Sequence, residues 1–455
     1  MTAHAPTGPT GPIPVNPAPT GAGTVGPSPT GPLPAGRDRW RMVRPLGNRD
    51  FRMLFAAVVL SVFASGMWAV VMVYSVIDAG GDEVALSIVA ASSAVGLLAC
   101  AIPGGIVADR VSRRVVLRVV EAANVIAIVS VVVASVIGVA TIAHLAVVAF
   151  VLGAGAGFFF PAYSAILPRI LPPGQLLAAN GLEGAIRPAL QQAAGPAAAG
   201  MLVAAVIVPA HATVAVAIAH LLALMLLMFV RPEPAPEPGA QPGAPASGGV
   251  VRDLVDAVKF TVRTRWLLWT LLFATVWVLV VLGPEEVLLP FLTRDRIGED
   301  PRWFGFLLAV YGIGGVAGSI VVSSMKLPRR YLTVMTLVWG ASTLPYIVIG
   351  FTDVYALMLA SVFAMGFGFS YGNVIWGTLL QRRVPTHMLG RVSSLDFFVS
   401  LALMPVSMAL AGPLSRVVPI PVIFVVAGIV PFVLSFIVLF VARMPQDEIA
   451  HPLDR

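Results

Sequence analysis

From residue 51 onward the chain is a succession of apolar stretches, each roughly 20 residues long and so long enough to cross a bilayer as a helix. Twelve can be counted, centred near residues 65, 96, 127, 155, 190, 220, 278, 314, 340, 367, 401 and 431. Inside hydrocarbon the backbone must satisfy its own hydrogen bonds, and an uninterrupted apolar segment does so by forming a helix. The fifth stretch is the least clean, because it holds Glu183, Arg187, Gln191 and Gln192. With 58% hydrophobic and 11% charged residues, the chain has about half the charged share of a soluble protein. The expected fold class is all-α integral membrane, with twelve transmembrane helices.

The net charge of +7 is spread over short clusters between apolar runs, without a basic patch interleaved with aromatics, so nucleic acid is not an expected partner. The clusters do orient the chain, because arginine and lysine concentrate in cytoplasmic loops. With the N-terminus inside, the inner segments carry Arg37 to Arg52, the group Arg110, Arg113, Arg114 and Arg118, then Arg169, Arg231 to Arg265, Lys326 with Arg329 and Arg330, Arg382 with Arg383 and Arg391, and Arg443 with Arg455. Only Arg294, Arg296, Arg302 and Arg416 fall outside. The expectation is a multi-pass protein of the cell membrane with both termini cytoplasmic.

Five segments follow. Residues 1–47 read as a disordered Pro/Gly-rich cytoplasmic tail, since positions 1–36 hold no Asp, Glu, Lys or Arg and repeat Pro-Thr-Gly four times. Residues 48–230 form an N-terminal six-helix bundle, 231–265 a cytoplasmic linker, 266–443 a C-terminal six-helix bundle and 444–455 a cytoplasmic tail. The linker opens Pro-rich and ends amphipathic, with Val251, Leu254, Val255, Val258 and Val262 on one helical face and Arg252, Asp253, Asp256, Lys259 and Arg263 on the other. The halves are similar: Gly96, Arg113 and Arg114 align with Gly312, Arg329 and Arg330, and Gly153, Gly155, Arg169 and Pro172 with Gly366, Gly368, Arg382 and Pro385. Two parallel repeats around a midplane cavity are a secondary-transporter architecture.

The stretch "GGIVADRVSRR", 104 to 114, sets four charges between two oily helices. Gly105, Asp109, Arg110, Arg113 and Arg114 match the loop signature of the major facilitator superfamily, with Ser112 where that signature has glycine. The chain resembles that family over about residues 48 to 443. Within it, the closer resemblance is to bacterial drug and siderophore exporters of the macrolide-exporter and enterobactin-exporter type, through "NRDFRMLF", "GPEEVLLPFL", "AAN" and "GPAAAG". The resemblance implies two pseudo-symmetric six-helix bundles, a small-molecule substrate and proton-coupled efflux of amphipathic compounds by alternating access. It also implies a conformational latch in which Asp109 faces the start of the eleventh helix, near Leu389 and Gly390, where unpaired N–H groups favour a carboxylate. Gly195, Pro196 and Gly200 match part of the fifth-helix antiporter motif; Gln191 and Ala199 depart from it.

Ionisable groups within the apolar stretches are the candidates for proton coupling. Glu183 and Arg187 lie one turn apart in the orientation that favours an ion pair, and Asp396 is the repeat counterpart of Glu183. Glu121 is expected to pair with nearby Arg118, and His144, His211 and His220 to lie near outer helix ends. Substrate-cavity candidates are Trp68, Phe159, Tyr163, Gln191, Gln192, Trp277, Tyr371, Asn373 and Trp376, since bulky apolar ligands are held by aromatic walls and a few polar groups.

The Gly-x-Ser-x-Gly stretch at Gly368 to Gly372 and the Gly-rich stretch at Gly312 to Ala317 lie inside membrane helices, not at strand-to-helix turns. Neither lysine follows a glycine, and the histidines lack ligand spacing, so no catalytic site, nucleotide, cofactor or metal is expected. The bilayer, a small-molecule substrate and protons are the expected partners. A metabolite importer or uniporter of the same superfamily is the alternative, and a membrane-embedded enzyme or receptor a distant one.

Overall fold

The computed structural model describes residues 43–205, 210–231 and 250–453, which are almost wholly helical. The Pro/Thr/Gly tail and the Pro-rich part of the linker lie outside them. Twelve spans follow in order: α1 Arg49–Asp78, α2 Glu83–Arg110, α3 Arg113–Val136, α4 Ile142–Ile170, α5 (residues 173–205), α6 Ala210–Met228, α7 Arg265–Ile297, α8 Pro301–Ser324, α9 Tyr331–Phe351, α10 Tyr355–Arg383, α11 (residues 386–415) and α12 Ile420–Val441. Ten of these are long and apolar enough to cross a membrane by themselves; α6 offers a shorter apolar run, Ala212–Met228, and α5 is broken by polar residues. A linker helix, Val250–Arg263, precedes α7, and a terminal helix, Met444–Ala450, follows α12.

Side chains fix where several helices begin. Asn48 accepts the N–H groups of Asp50 and Phe51, capping α1, and donates its own amide to the Ile170 carbonyl at the end of α4. Asp82, Thr141 and Asp300 cap α2, α4 and α8 in the same way. Two spans contain π-turns, Arg187–Ala194 in α5 and Pro284–Leu288 in α7, each with a proline, Pro188 or Pro284, in its first two residues that lacks the N–H an α-helix needs.

The halves repeat their closest contact. A Cβ on Gly153 would lie 2.0 Å from the Ser93 carbonyl oxygen, and one on Gly96 2.3 Å from that of Phe150, so α2 and α4 touch backbone to backbone. In the second half Gly366 stands 2.0 Å from Tyr311 O and Gly314 2.2 Å from Phe363 O by the same measure. Small residues drive such packing because lipid gives apolar helices no other reason to associate. The contact register corrects one alignment: Gly314, not Gly312, takes the place of Gly96, while Gly312 packs on Gln192 of α5. The stretch from the contact glycine to the arginine pair is therefore two residues shorter in the second half, Gly314 to Arg329 against Gly96 to Arg113, and a gap-free match of the arginine pairs misplaces the helix glycines.

Two other expectations are corrected. Arg118 donates to the carbonyls of Leu227, Met228 and Val230, and Arg114 to that of Val230, so these arginines satisfy the orphan acceptors at the end of α6. Glu121 is thus not Arg118's partner; it turns to His220 of α6, with Oε2 2.8 Å from Nδ1 and both side chains buried. At the C-terminal end, buried Glu448 of the terminal helix accepts the N–H groups of Leu332 and Thr333 and the Thr333 hydroxyl, capping α9 from outside.

Candidate functional site

Among the described residues, side-chain contacts join the two halves at the end opposite the arginine-rich loops. There the Ser87 hydroxyl of α2 accepts the Gly412 N–H of α11 at 2.7 Å, and Asp82 pairs with Arg416. On the other flank α5 meets α8 through Gly200 and Gly305, close enough that a Cβ on either would lie about 3 Å from the facing backbone. Asp82 is held below the usual carboxylate range by the Ala85 N–H and by Arg416. Asp300, at the same end, is lowered by its pairing with Arg302. All of these loops lie opposite the arginine-rich ones. Toward the arginine-rich end a cavity of about 730 Å³ separates α2 and α4 from α11, lined by Gly105, Ile106, Phe160 and Ser164 on one side and Ser393, Ser394, Phe397 and Phe398 on the other. The molecule is closed at one end and split at the other.

Two smaller cavities adjoin that groove. In the second half, about 300 Å³ is enclosed by Phe273, Trp277, Trp339, Phe369, Trp376 and Phe397, with Thr270, Asn373, Ser400 and Asp396 among the few polar groups. The rings fall into two groups: Trp277 stacks on Phe369 with centroids 5.1 Å apart, and Trp339 lies 6.2 Å from Trp376 and 6.3 Å from Phe273. Asp396 accepts from Trp376 Nε1 at 3.0 Å and from the Ser400 hydroxyl at 3.1 Å. Both donors are neutral, and no cation pairs with this carboxylate among the described residues. Trp277 Nε1 is buried with no acceptor. An aromatic box with one uncompensated carboxylate suits an organic cation, whose charge is attracted both to ring faces and to the acid.

In the first half, a cavity of about 220 Å³ is lined by Trp68, Phe159, Phe160 and Gln191, by Ser61, Ser65 and Ser93, and by Asn124, Arg187 and His220. Arg187 pairs with Glu183 at 2.7 Å and lies 4.2 Å above the Phe160 ring. The three cavities are strung together by shared walls. Phe397 belongs to the aromatic box and the groove, and Arg187 to the groove and the first-half cavity.

Among the residues singled out by sequence, Trp277, Asn373, Trp376 and Asp396 meet in the aromatic box, and Trp68, Phe159, Gln191 and Arg187 meet in the first-half cavity. Tyr163 stacks on Phe159 and Tyr371 on Phe367, outside the lining of these three spaces. Gln191 packs on Gly66 of α1 and Gln192 on Gly312 of α8, so the π-turn of α5 is wedged between α1 of its own half and α8 of the other. Gly195 rests on α1 and Gly200 on α8. Gly105 lines the groove, Arg110 is exposed at the end of α2, and the side chain of Asp109 lies outside the described residues. Reasoning from sequence missed Phe273, Trp339, Phe369 and Phe397, and with them the aromatic box. Their spacing within α7, α9, α10 and α11 carries no sign that four helices bring them together.

Two six-helix halves, pinned at one end and parted at the other around cavities at mid-depth, define a membrane transporter of the alternating-access kind. The chain belongs to the Major Facilitator Superfamily, whose sequence model matches residues 54–407. It is 26% identical over 412 residues to the multidrug efflux pump Tap of Mycolicibacterium fortuitum, covering 88% of this chain and 97% of that one. Tap of Mycobacterium tuberculosis (strain ATCC 25618 / H37Rv) is 26% identical over 375 residues, 80% of this chain and 86% of its own. Among solved structures, a POT family transporter in complex with 5-aminolevulinic acid superposes with a TM-score of 0.65 at 14% identity, covering 86% of this chain and 96% of that one. The nucleoside transporter NupG superposes with a TM-score of 0.59 at 14% identity over 87% and 99%. These two likenesses establish the fold alone.

Proposed function

We propose that the protein is a proton-driven exporter of small amphipathic compounds, with a preference for those carrying a positive charge. The observation that carries this reading is the aromatic box around Asp396, an acid with only neutral donors that opens through Phe397 onto the groove between the halves. The similarity to multidrug efflux pumps supports the direction. The arginine distribution supports a cytoplasmic placement for both termini and for the parted end.

In this mechanism an amphipathic cation enters the groove from the cytoplasm or inner leaflet and lies against Trp277, Trp376 and Asn373, with its charge at Asp396. Trp68, Phe159 and Gln191 face it from the other half. Rocking of the halves breaks the clamp at Asp82 and Arg416 and exposes the box outside. There a proton replaces the cation on Asp396 and expels it. Glu183, released from Arg187 when Arg187 leaves the groove wall, is a second carboxylate placed to follow substrate. The loop of Gly105, Asp109, Arg110, Arg113 and Arg114 closes the cytoplasmic side in the outward state, with Asp109 against the start of α11. Gly195, Pro196 and Gly200 let α5 slide between α1 and α8.

The test is proton movement in inside-out vesicles under an imposed pH gradient, challenged with tetraphenylphosphonium, a macrolide and a catecholate siderophore. Release of lumenal protons on addition of tetraphenylphosphonium, abolished in Asp396→Asn vesicles, is the expected result. Uptake that ignores the gradient and a protonophore supports a uniporter instead.

A further inference from the structure

An amphipathic helix that docks on protein alone turns its apolar stripe inward. The linker helix, Val250–Arg263, does not. It packs on the Thr386–Leu401 segment of α11 and on the start of α7, and the side chains it buries there are Ala257 and Thr261, with Phe260 half-buried beside them. At about 3.6 residues per turn, Val255, Val258 and Val262 fall together on a second face. They are left 41%, 41% and 56% exposed.

A third face is basic. Lys259 and Arg263, one turn apart, are exposed there, and exposed Arg265 follows just beyond the helix. Asp256, half-buried between the docked face and the basic one, is the one acid among the described side chains of the helix. Among the described residues no carboxylate pairs with Lys259, Arg263 or Arg265. The protein therefore covers one face of the helix and leaves both an apolar stripe and three cations without a protein partner among those residues.

The place of the helix says what covers them. Only Thr264, with φ −97° and ψ 91°, separates it from Arg265, where α7 starts into the bilayer. The last turn of the helix, with Val262 and Arg263, is thus tied to the depth at which headgroups meet acyl chains. A membrane surface fits both remaining faces at once, taking the valines at its apolar boundary and the cations at its phosphates. Three cations against one acid match headgroups with a net negative charge rather than zwitterionic ones.

We infer that the linker helix is a binding site for anionic phospholipids of the leaflet at the arginine-rich end, with Val255, Val258 and Val262 seated at the acyl boundary and Lys259, Arg263 and Arg265 on the phosphates. The site depends neither on the identity of the substrate nor on the driving ion.

The test places an environment-sensitive fluorophore on Val258→Cys in protein whose single cysteine is removed by Cys100→Ser. The labelled protein is reconstituted into vesicles of phosphatidylcholine, or of phosphatidylcholine and phosphatidylglycerol in equal parts, each carrying a doxyl-lipid quencher. Each cation near an anionic surface favours the seated position about fivefold, so quenching is expected to be stronger in the anionic vesicles by about twofold or more. The triple variant Lys259→Gln, Arg263→Gln, Arg265→Gln should lose that difference, and high salt should remove it from the protein with all three cations intact. A label at Phe440 of α12, 79% exposed on a span, should be quenched alike in every sample and reports that each protein is folded and inserted. If the triple variant fails that control, the salt comparison carries the test. Equal quenching at 258 in the two lipids overturns the inference. No quenching in either means that protein or water covers the stripe, and overturns it too; a difference that persists in the triple variant and at high salt removes the three cations as its cause.

Discussion

Replacing Asp396 by asparagine removes one charge from the aromatic box with little other change. The asparagine carbonyl still accepts from Trp376 Nε1, 3.0 Å from the native oxygen, and its volume is nearly the same. A cation about 4 Å from a carboxylate gains about 4 kcal/mol at an effective dielectric near 20. Stripping water from both groups returns part of that, and charged hydrogen-bonded contacts in proteins are worth about 1.5–3 kcal/mol net. Affinity for tetraphenylphosphonium is therefore expected to fall by about 10- to 150-fold. Tetraphenylsilane, neutral and carrying the same four rings without a polar group, should bind both forms alike, because its contacts are with the aromatic side chains of the box. Equilibrium binding to detergent-purified protein reads both numbers. An equal loss for the two probes, or none for the cation, would refute the reasoning, since the effect would then lie in packing or in another site.

Other expectations follow from single contacts. Gly366→Val places a Cβ 2.0 Å from the Tyr311 carbonyl and should part α8 from α10, costing about 1–3 kcal/mol or preventing folding, whereas Gly377→Ala, with nothing within 4 Å, should be silent in thermal unfolding. Asp82→Asn should loosen the clamp to Arg416; an exposed pair is worth about 0.2–1 kcal/mol, so spin labels on the outer ends of α2 and α11 should report up to about fivefold more of the separated state. Because Asp82 is depressed in the clamped state, its contribution is present above the ordinary carboxylate range and fades as pH falls through the lowered value, so acidification of wild type should move the labels the same way. Glu448→Ala strips the α9 N-terminus of acceptors for Leu332 and Thr333 and should lower stability by about 1–3 kcal/mol, seen as a drop of a few degrees in apparent unfolding temperature; no drop would mean the terminal helix is not needed there.

The twelve spans, the arginine-bearing end and the twofold repeat were legible in the sequence because each is a property of residues one at a time. Transfer to hydrocarbon depends on a segment's own side chains, and loop charge is read by the membrane without reference to partners. The polar fifth span was legible for the same reason: Glu183, Arg187, Gln191 and Gln192 stand out against apolar neighbours.

Which face of each helix meets which neighbour belonged to the tertiary structure alone. In a helix apolar all round, periodicity does not mark an inward side, and rotation and register are settled by where glycines let backbones touch, as at Gly153 on Ser93 and Gly366 on Tyr311. That packing closes Phe273, Trp277, Trp339, Phe369, Trp376 and Phe397 into a box around Asp396. It takes Glu121 away from Arg118 and seals it against His220. A sequence states the cost of placing a carboxylate in a membrane; only the register of packed helices decides which group offsets it.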